Sequence, residues 1–166
     1  MTTKYRIIGS GSRSFVSLND ETKARIITDL KKYISDLYES HKDYDVRILS
    51  GMAEGWDETI ARCANELDIP WYAIVPNPSY GNYYWKSNSV LNKNRIDEYN
   101  ELLKTAQHVH YVCNNVYESG IHSNIKRNEL LASYADIALV YDSNSPGTKS
   151  TIRLLNKANK KVVFFM

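Results

Sequence analysis

The sequence predicts an α/β protein: a Rossmann-like three-layer sandwich with a mainly parallel sheet of about six strands. Two patterns and a length carry this reading. Short runs rich in Val, Ile and aromatic residues alternate with longer stretches whose apolar residues return at helical spacing. The strand-like runs are apolar almost throughout, as in strands buried on both faces, so helices must cover both sides of the sheet. At 166 residues the chain can bury a substantial core without disulfide staples, and residues 1–166 are read as a single domain.

Taken in order, "KYRIIGSGSRS" opens with a strand at Tyr5 to Ile8 and then turns to glycine and serine. A helix follows from Asn19 or Asp20, either of which can cap it, with Ile27, Leu30, Ile34 and Leu37 on one face. The stretch "VRILSGMAEGWDETIARCANELDIP" repeats the plan: strand Val46 to Leu49, a glycine-rich turn, a helix from about Asp57 and a stop before Pro70. "WYAIVP" is a third strand, and residues 76–91 read as a long loop of the kind that often carries function. "NKNRIDEYNELLKTA" is a helix, "HVHYVC" a strand and "HSNIKRNELLASYA" a helix. "DIALVYD" is a fifth strand, "TKSTIRLLNKAN" a helix and "KKVVFF" the last strand.

Composition narrows the function classes. The chain is 43% hydrophobic and 24% charged, and no apolar run reaches the length of a membrane span or signal peptide, so a cytoplasmic location is expected. Cys63 and Cys113 are too few for a disulfide framework and are read as reduced and structural. A net charge of +2 gives little basis for nonspecific nucleic-acid binding. His108, His110 and Cys113 invite a metal, but on a strand the histidines share one face while the cysteine points to the other. Neither a metal nor a cofactor is expected.

In parallel sheets ligands bind beyond the carboxyl ends of the strands, where the strand order reverses. Three segments fall there: "GSGSR" after the first strand, "SGMAEGWD" after the second and "SPGTKST" after the fifth. Placing the first strand between the second and fifth brings all three to one point. Each glycine suits either a tight connection or the approach of a phosphate to main-chain N–H groups, and three in register favour an anion site. Ser10, Ser12, Ser50, Ser145 and Thr148 add hydroxyl donors. A dinucleotide site is disfavoured, because Ser14 stands where GxGxxG needs its third glycine and the second strand ends in Ser50-Gly51 without a ribose-binding acid. Thr148 separates Gly147 from Lys149, so the GK[ST] of a P-loop is absent.

The ordered set "SGMAEGWDETIA", "VPNPSYGNYYW", "RIDEYNELLKTAQHVHYV", "RNELLASYADIALVYD" and "GTKSTIRLLNKANKKV" resembles the SLOG superfamily, especially its YpsA-like and YspA-like branch. The wider superfamily includes the DprA core and the LOG-type phosphoribohydrolases. The resemblance covers nearly the whole chain. It implies a Rossmann-like domain that binds a nucleotide or nucleotide-derived molecule and that commonly self-associates, so a homo-oligomer is expected. Carried over by motif, the ligand loops are Gly9, Ser10, Gly11, Ser12 and Arg13; Ser50, Gly51, Ala53, Glu54, Gly55 and Asp57; Arg127 and Asn128; and Ser145, Gly147 and Thr148. One departure bears on chemistry. LOG-type enzymes carry PGGxGTxxE with a catalytic glutamate, whereas Thr151 occupies that position here. A threonine cannot activate water for glycosidic cleavage as a carboxylate does. Glu54, Asp57 or Asp142 are the carboxylates that could stand in.

Several residues keep two readings at this stage. Arg127 either clamps a phosphate or forms a surface ion pair. Asp57 reads a ribose, caps the second helix, or does both. Arg13 either meets an anion or faces water. Tyr84 and Trp85 either stack on a base or close a core or subunit contact. The functional expectation is a nucleotide-binding domain with weak or no catalysis. The alternatives are N-glycoside hydrolysis of nucleoside monophosphates and, less favoured on charge, single-stranded nucleic-acid binding.

Overall fold

Six parallel strands form the main sheet in the computed structural model, which describes residues 2–87, 90–114, 120–142 and 144–166. In chain order the elements are β1 Lys4–Gly11, a 3-10 turn Arg13–Ser17, α1 Asp20–Ser40, β2 Asp45–Ser50, α2 Trp56–Glu66, β3 Trp71–Val75 and α3 Tyr80–Tyr84. There follow β4 Lys86–Ser87, β5 Val90–Leu91, α4 Lys93–Lys104, β6 His108–Tyr111, α5 Gly120–Tyr134, β7 Ile137–Tyr141, α6 Pro146–Lys157 and β8 Lys161–Phe164. The sheet order is β6-β3-β2-β1-β7-β8, with β4 and β5 a separate antiparallel pair.

The strand order follows from the chain's path. From β1 it steps outward through β2 and β3 to β6, then returns past β1 to β7 and ends at β8. The reversal lies between β1 and β7, paired in register from Ile7 with Ile137 to Gly11 with Tyr141. β1 therefore sits between β2 and β7, as convergence of the three segments requires. Strand alternation divides the core in two. Ile7, Ile48, Ala73 and Leu139 face α1, α2 and α4, while Ile8, Leu49, Ile74 and Val140 face α5 and α6. Helices on both faces make the three layers.

Local signals start and stop the helices. Asn19 caps α1 by accepting the Thr22 N–H at 2.8 Å, and Asp20 and Glu21 complement the positive end of its dipole. The buried stripe of α1 is Ile26, Leu30 and Ile34, with Ile27 and Leu37 only half-buried at its side. Cys63 and Cys113 are buried and not joined in a disulfide; burial, with Glu66 adding to it, pushes the Cys63 thiol up to about 12. Among the described residues no helix is long and apolar enough to cross a membrane.

Two expectations need correction here. The first strand does not stop at Ile8: Gly9, Ser10 and Gly11 continue it, because β7 supplies a neighbour for that stretch. Residues 76–91 are not a bare loop, for they contain α3 and the β4–β5 pair; positions 88 and 89 lie outside the described residues. Local order comes from Asn77, whose side-chain oxygen accepts the Ser79 N–H at 3.0 Å while its amide donates to Ser123 of α5 at 3.0 Å.

Candidate functional site

A pocket of about 300 Å³ opens over the carboxyl ends of β1 and β7, at the reversal of strand order. That volume is at the lower end of small-molecule sites. One wall is Gly9 to Arg13, a second is Ala53 and Asp57, a third is the α5 face of Asn124, Arg127, Asn128 and Leu131, and a fourth is Ser145, Gly147, Thr148 and Thr151. Tyr80 of α3 reaches over from the side.

The last segment is a helix start and not a free loop. Ser145 caps α6: its hydroxyl accepts the Thr148 N–H at 3.4 Å and donates to the Thr148 hydroxyl at 2.7 Å. Pro146 sits in the first turn, where its missing N–H costs nothing. Asn144 takes a left-handed φ of 68° to bring the chain round from β7, and its N–H donates to Asp142 Oδ1 at 2.8 Å. No acidic residue occupies the first turn of α6, which leaves the positive end of its dipole uncompensated by its own side chains. A Cβ placed on Gly147 would meet nothing within 4 Å.

The other glycines are crowded. A Cβ on Gly9 would stand 2.1 Å from Ile60 Cδ1, and one on Gly11 2.5 Å from Trp56 Cβ. Their bareness lets α2 lie close on the sheet; only their backbones border the pocket. Gly51 would meet Arg127 Cδ at 2.7 Å and Asp57 Oδ2 at 2.9 Å, so it makes room for two pocket-lining side chains from behind. Gly55 has φ 99° and lies against the backbone of Arg13. Met52 is also left-handed, at φ 60°, a conformation disfavoured for a residue with a side chain and held here by full burial.

Electrostatics centre on Asp57 and Arg127, both buried. Asp57 lies in the first turn of α2 without capping it; its Oδ2 accepts the Ala53 N–H at 3.3 Å, and Oδ1 has no hydrogen-bond partner. Burial pushes this carboxyl up to about 6, against the lowering influence of Arg127, the Ala53 N–H and Arg13. Arg127 donates through Nη1 to Gly51 O at 2.7 Å and to the Tyr80 hydroxyl at 3.4 Å, and through Nε to Asn128 Oδ1 at 2.8 Å. Burial works against its charge, but Tyr80 and Asp57 outweigh that and raise its pKa. It is neither a surface ion pair nor solvent-facing. Arg13 lies with its guanidinium 5.0 Å from the Tyr84 ring centroid, and Tyr84 stacks on Tyr80 at 4.8 Å.

Other candidates fall outside the pocket. Trp85 is fully buried, donates its indole N–H to Met52 O at 2.8 Å and packs on Tyr99, so it closes the core and offers no face to a base. Glu54 is tied to Arg95 at 3.0 Å. Ser50 spends its hydroxyl on the turn, donating to Asp57 O at 2.8 Å and accepting the Met52 N–H at 3.2 Å. Gly51 and Gly55 shape the β2–α2 turn from behind, and Asp142 braces the β7–α6 turn. His108 and His110 are exposed on the edge strand β6, whereas Cys113 lies two residues beyond its end and is buried. Conversely, Asn124 and Tyr80 were not among the expected residues. Asn124 lies three residues before Arg127 on the same helical face, a spacing visible in the sequence. Tyr80 has no such local signal, because only the folding of α3 brings it over Arg127.

No family model matches the sequence, and no curated protein matches it. A doubly wound sheet with a pocket at its reversal point defines a Rossmann-like fold, and solved structures share it. DNA processing protein A from Helicobacter pylori, a single-stranded DNA binder, matches with a TM-score of 0.63 at 20% identity over 98% of this chain and 65% of that one. DprA from Streptococcus pneumoniae gives 0.63 at 14% identity over 97% and 50%. This chain thus spans less than two thirds of either protein. The molybdenum cofactor carrier protein of Chlamydomonas reinhardtii gives 0.55 at 15% identity over 97% of this chain and 76% of its own. At these identities the likeness is one of fold, and that fold is the one the superfamily resemblance implied.

Proposed function

We propose that the protein binds a nucleotide or nucleotide-derived small molecule in this pocket, with the anion at the first turn of α6, and that it serves as a sensor, carrier or sequestering domain with little or no catalysis. The observation that carries the reading is Gly147: it borders the pocket, sits on a helix start without acidic residues, and has open space where a side chain would be. Pro146 has no N–H and the Thr148 N–H is held by Ser145, so the Gly147 N–H is the first-turn donor without a helical partner, and an anion can approach it closely. Arg13 and Arg127 add positive charge from the facing walls. The shared fold of a DNA-binding protein and a cofactor carrier supports ligand binding in general terms, and the YpsA-like resemblance supports the nucleotide class.

The α6 wall supports the reading of weak catalysis. Thr151 donates its hydroxyl to Gly147 O at 3.1 Å, so no carboxylate stands where LOG-type enzymes need one. Glu54 and Asp142 do not reach the pocket, and Asp57 is the one carboxylate among the described lining residues. Thermal melting with and without AMP tests the reading. Ligand at a hundred times its dissociation constant adds about 2.7 kcal/mol, which raises the melting temperature of the wild type; Gly147→Trp abolishes the rise while keeping the fold. A nucleotide panel without effect on the wild type overturns the proposal. Efficient release of adenine from AMP replaces it with the hydrolase reading.

A further inference from the structure

Among the described residues, three buried side-chain polar atoms lack a hydrogen-bond partner, and two of them, Asp57 Oδ1 and Asn124 Oδ1, belong to residues that line this pocket. Buried acceptors are rarely left without a donor, so a pair on one cavity points to something that donates. Asp57 is the stronger indicator: its residue is 5% exposed, its second oxygen is already held by the Ala53 N–H, and an ionised carboxylate can only accept. Asn124 can present either end of its amide and so adapts to the same ligand.

The position of these acceptors limits what the donor can be. Asp57 stands beyond β2 and Gly147 beyond β7, with β1 between them. Two strand spacings amount to about 10 Å, too far for a lone phosphate at α6 to reach Asp57. Resting on the reading of an anion at α6, we infer that the ligand is bifunctional: it places its anion on the first turn of α6 and presents hydrogen-bond donors to Asp57 and Asn124. The donor chemistry is a sugar diol or an exocyclic amino group. Arg127 and Arg13 face Asp57 from α5 and from the turn after β1, and keep its negative charge compatible with an anionic ligand nearby.

Calorimetric titration distinguishes the two donor sources. The probes are AMP, 2′,3′-dideoxy-AMP, purine riboside 5′-monophosphate and inorganic phosphate, each against the wild type and Asp57→Asn. Removing the group that Asp57 reads weakens binding to the wild type by about tenfold or more, because a buried acceptor is again left unpaired. Loss with the dideoxy compound assigns the diol, and loss with the purine riboside assigns the amino group. Asp57→Asn weakens AMP to a similar degree and flattens the difference between AMP and the weakened analogue, whereas inorganic phosphate, which does not reach Asp57, is not weakened and gains from the loss of a nearby negative charge. Melting curves confirm that the variant is folded. Equal affinity of the wild type for all three nucleotides, or unchanged AMP binding in Asp57→Asn, overturns this inference, while a persisting Gly147→Trp effect keeps the anion reading intact. If neither AMP nor phosphate binds the wild type, both fall together.

Discussion

Gly11 and Gly147 border the same pocket, yet they are there for opposite reasons. A side chain on Gly11 would run into Trp56, which is fully buried and anchored by its indole N–H to Leu139 O at 3.0 Å, whereas a side chain on Gly147 would enter empty space. The first glycine serves helix-on-sheet packing and the second leaves its own stretch of main chain uncovered at the pocket. A glycine at the end of a strand therefore does not by itself mark a ligand site; what lies in the direction of its absent Cβ decides.

The largest expected effect breaks the packing half of this comparison. Gly11→Ala should destabilise the protein by about 3 kcal/mol, since the first atoms of Trp56 cannot swing aside. Urea denaturation measures it, and a loss below about 1 kcal/mol would show that α2 can retreat from the sheet.

Asp57→Asn comes next and acts in the opposite direction. The unfolded chain releases the Asp57 proton near 3.8, while the folded protein holds it to about 6. Between those values the native state carries more protons than the unfolded state, so stability falls as pH rises, and above 6 the whole cost of the buried charge is present. That difference is worth up to about 3 kcal/mol. The variant should be more stable than the wild type at pH 8 and no more stable at pH 4. An equal gain at both pH values would contradict a buried charge as the cause. Combined with lost AMP affinity, the expected result is the exchange of stability for function that binding sites often show.

Smaller effects sharpen the accessible half. Gly147→Ala should stabilise by about 0.5–1 kcal/mol through helix propensity and reduced chain entropy, with only part of the AMP response lost, because a methyl group leaves most of the opening free. A destabilised Gly147→Ala protein would show that the turn needs glycine for its backbone. Thr148→Val removes the acceptor of the Ser145 hydroxyl and should lower AMP affinity by a few fold, about 1 kcal/mol; melting shifts across an AMP series read it. Self-association, expected from the superfamily resemblance, is tested by sedimentation at high micromolar concentration; Tyr83, Tyr134 and Phe164 are exposed side chains of the kind that anchor such contacts.

Much of this architecture was legible in the sequence. Strands and helices announce themselves by local period, Asn19 by its capping chemistry, and β1's central place by the need to bring three turns together. Arg127, Asn128, Gly147 and Thr148, named from motif and position, all border the pocket. Trp85 illustrates the limit: an aromatic cluster near a glycine-rich segment looks the same whether it stacks on a ligand or fills the core. Only the path of the chain after α3 turns Trp85 inward onto Met52 and leaves Tyr80 over Arg127.

Residue order was enough for the succession of elements, the layered fold and the three segments near the sheet's reversal, because these rest on periodicities and caps within a few residues of one another. The tertiary structure alone decided which glycine is crowded and which is open, which hydroxyls are already spent, and that Asp57 is buried with one oxygen unpaired. Cavities and desolvation are sums over atoms brought together from β1, α2, α5 and α6, and a sequence lists those atoms far apart.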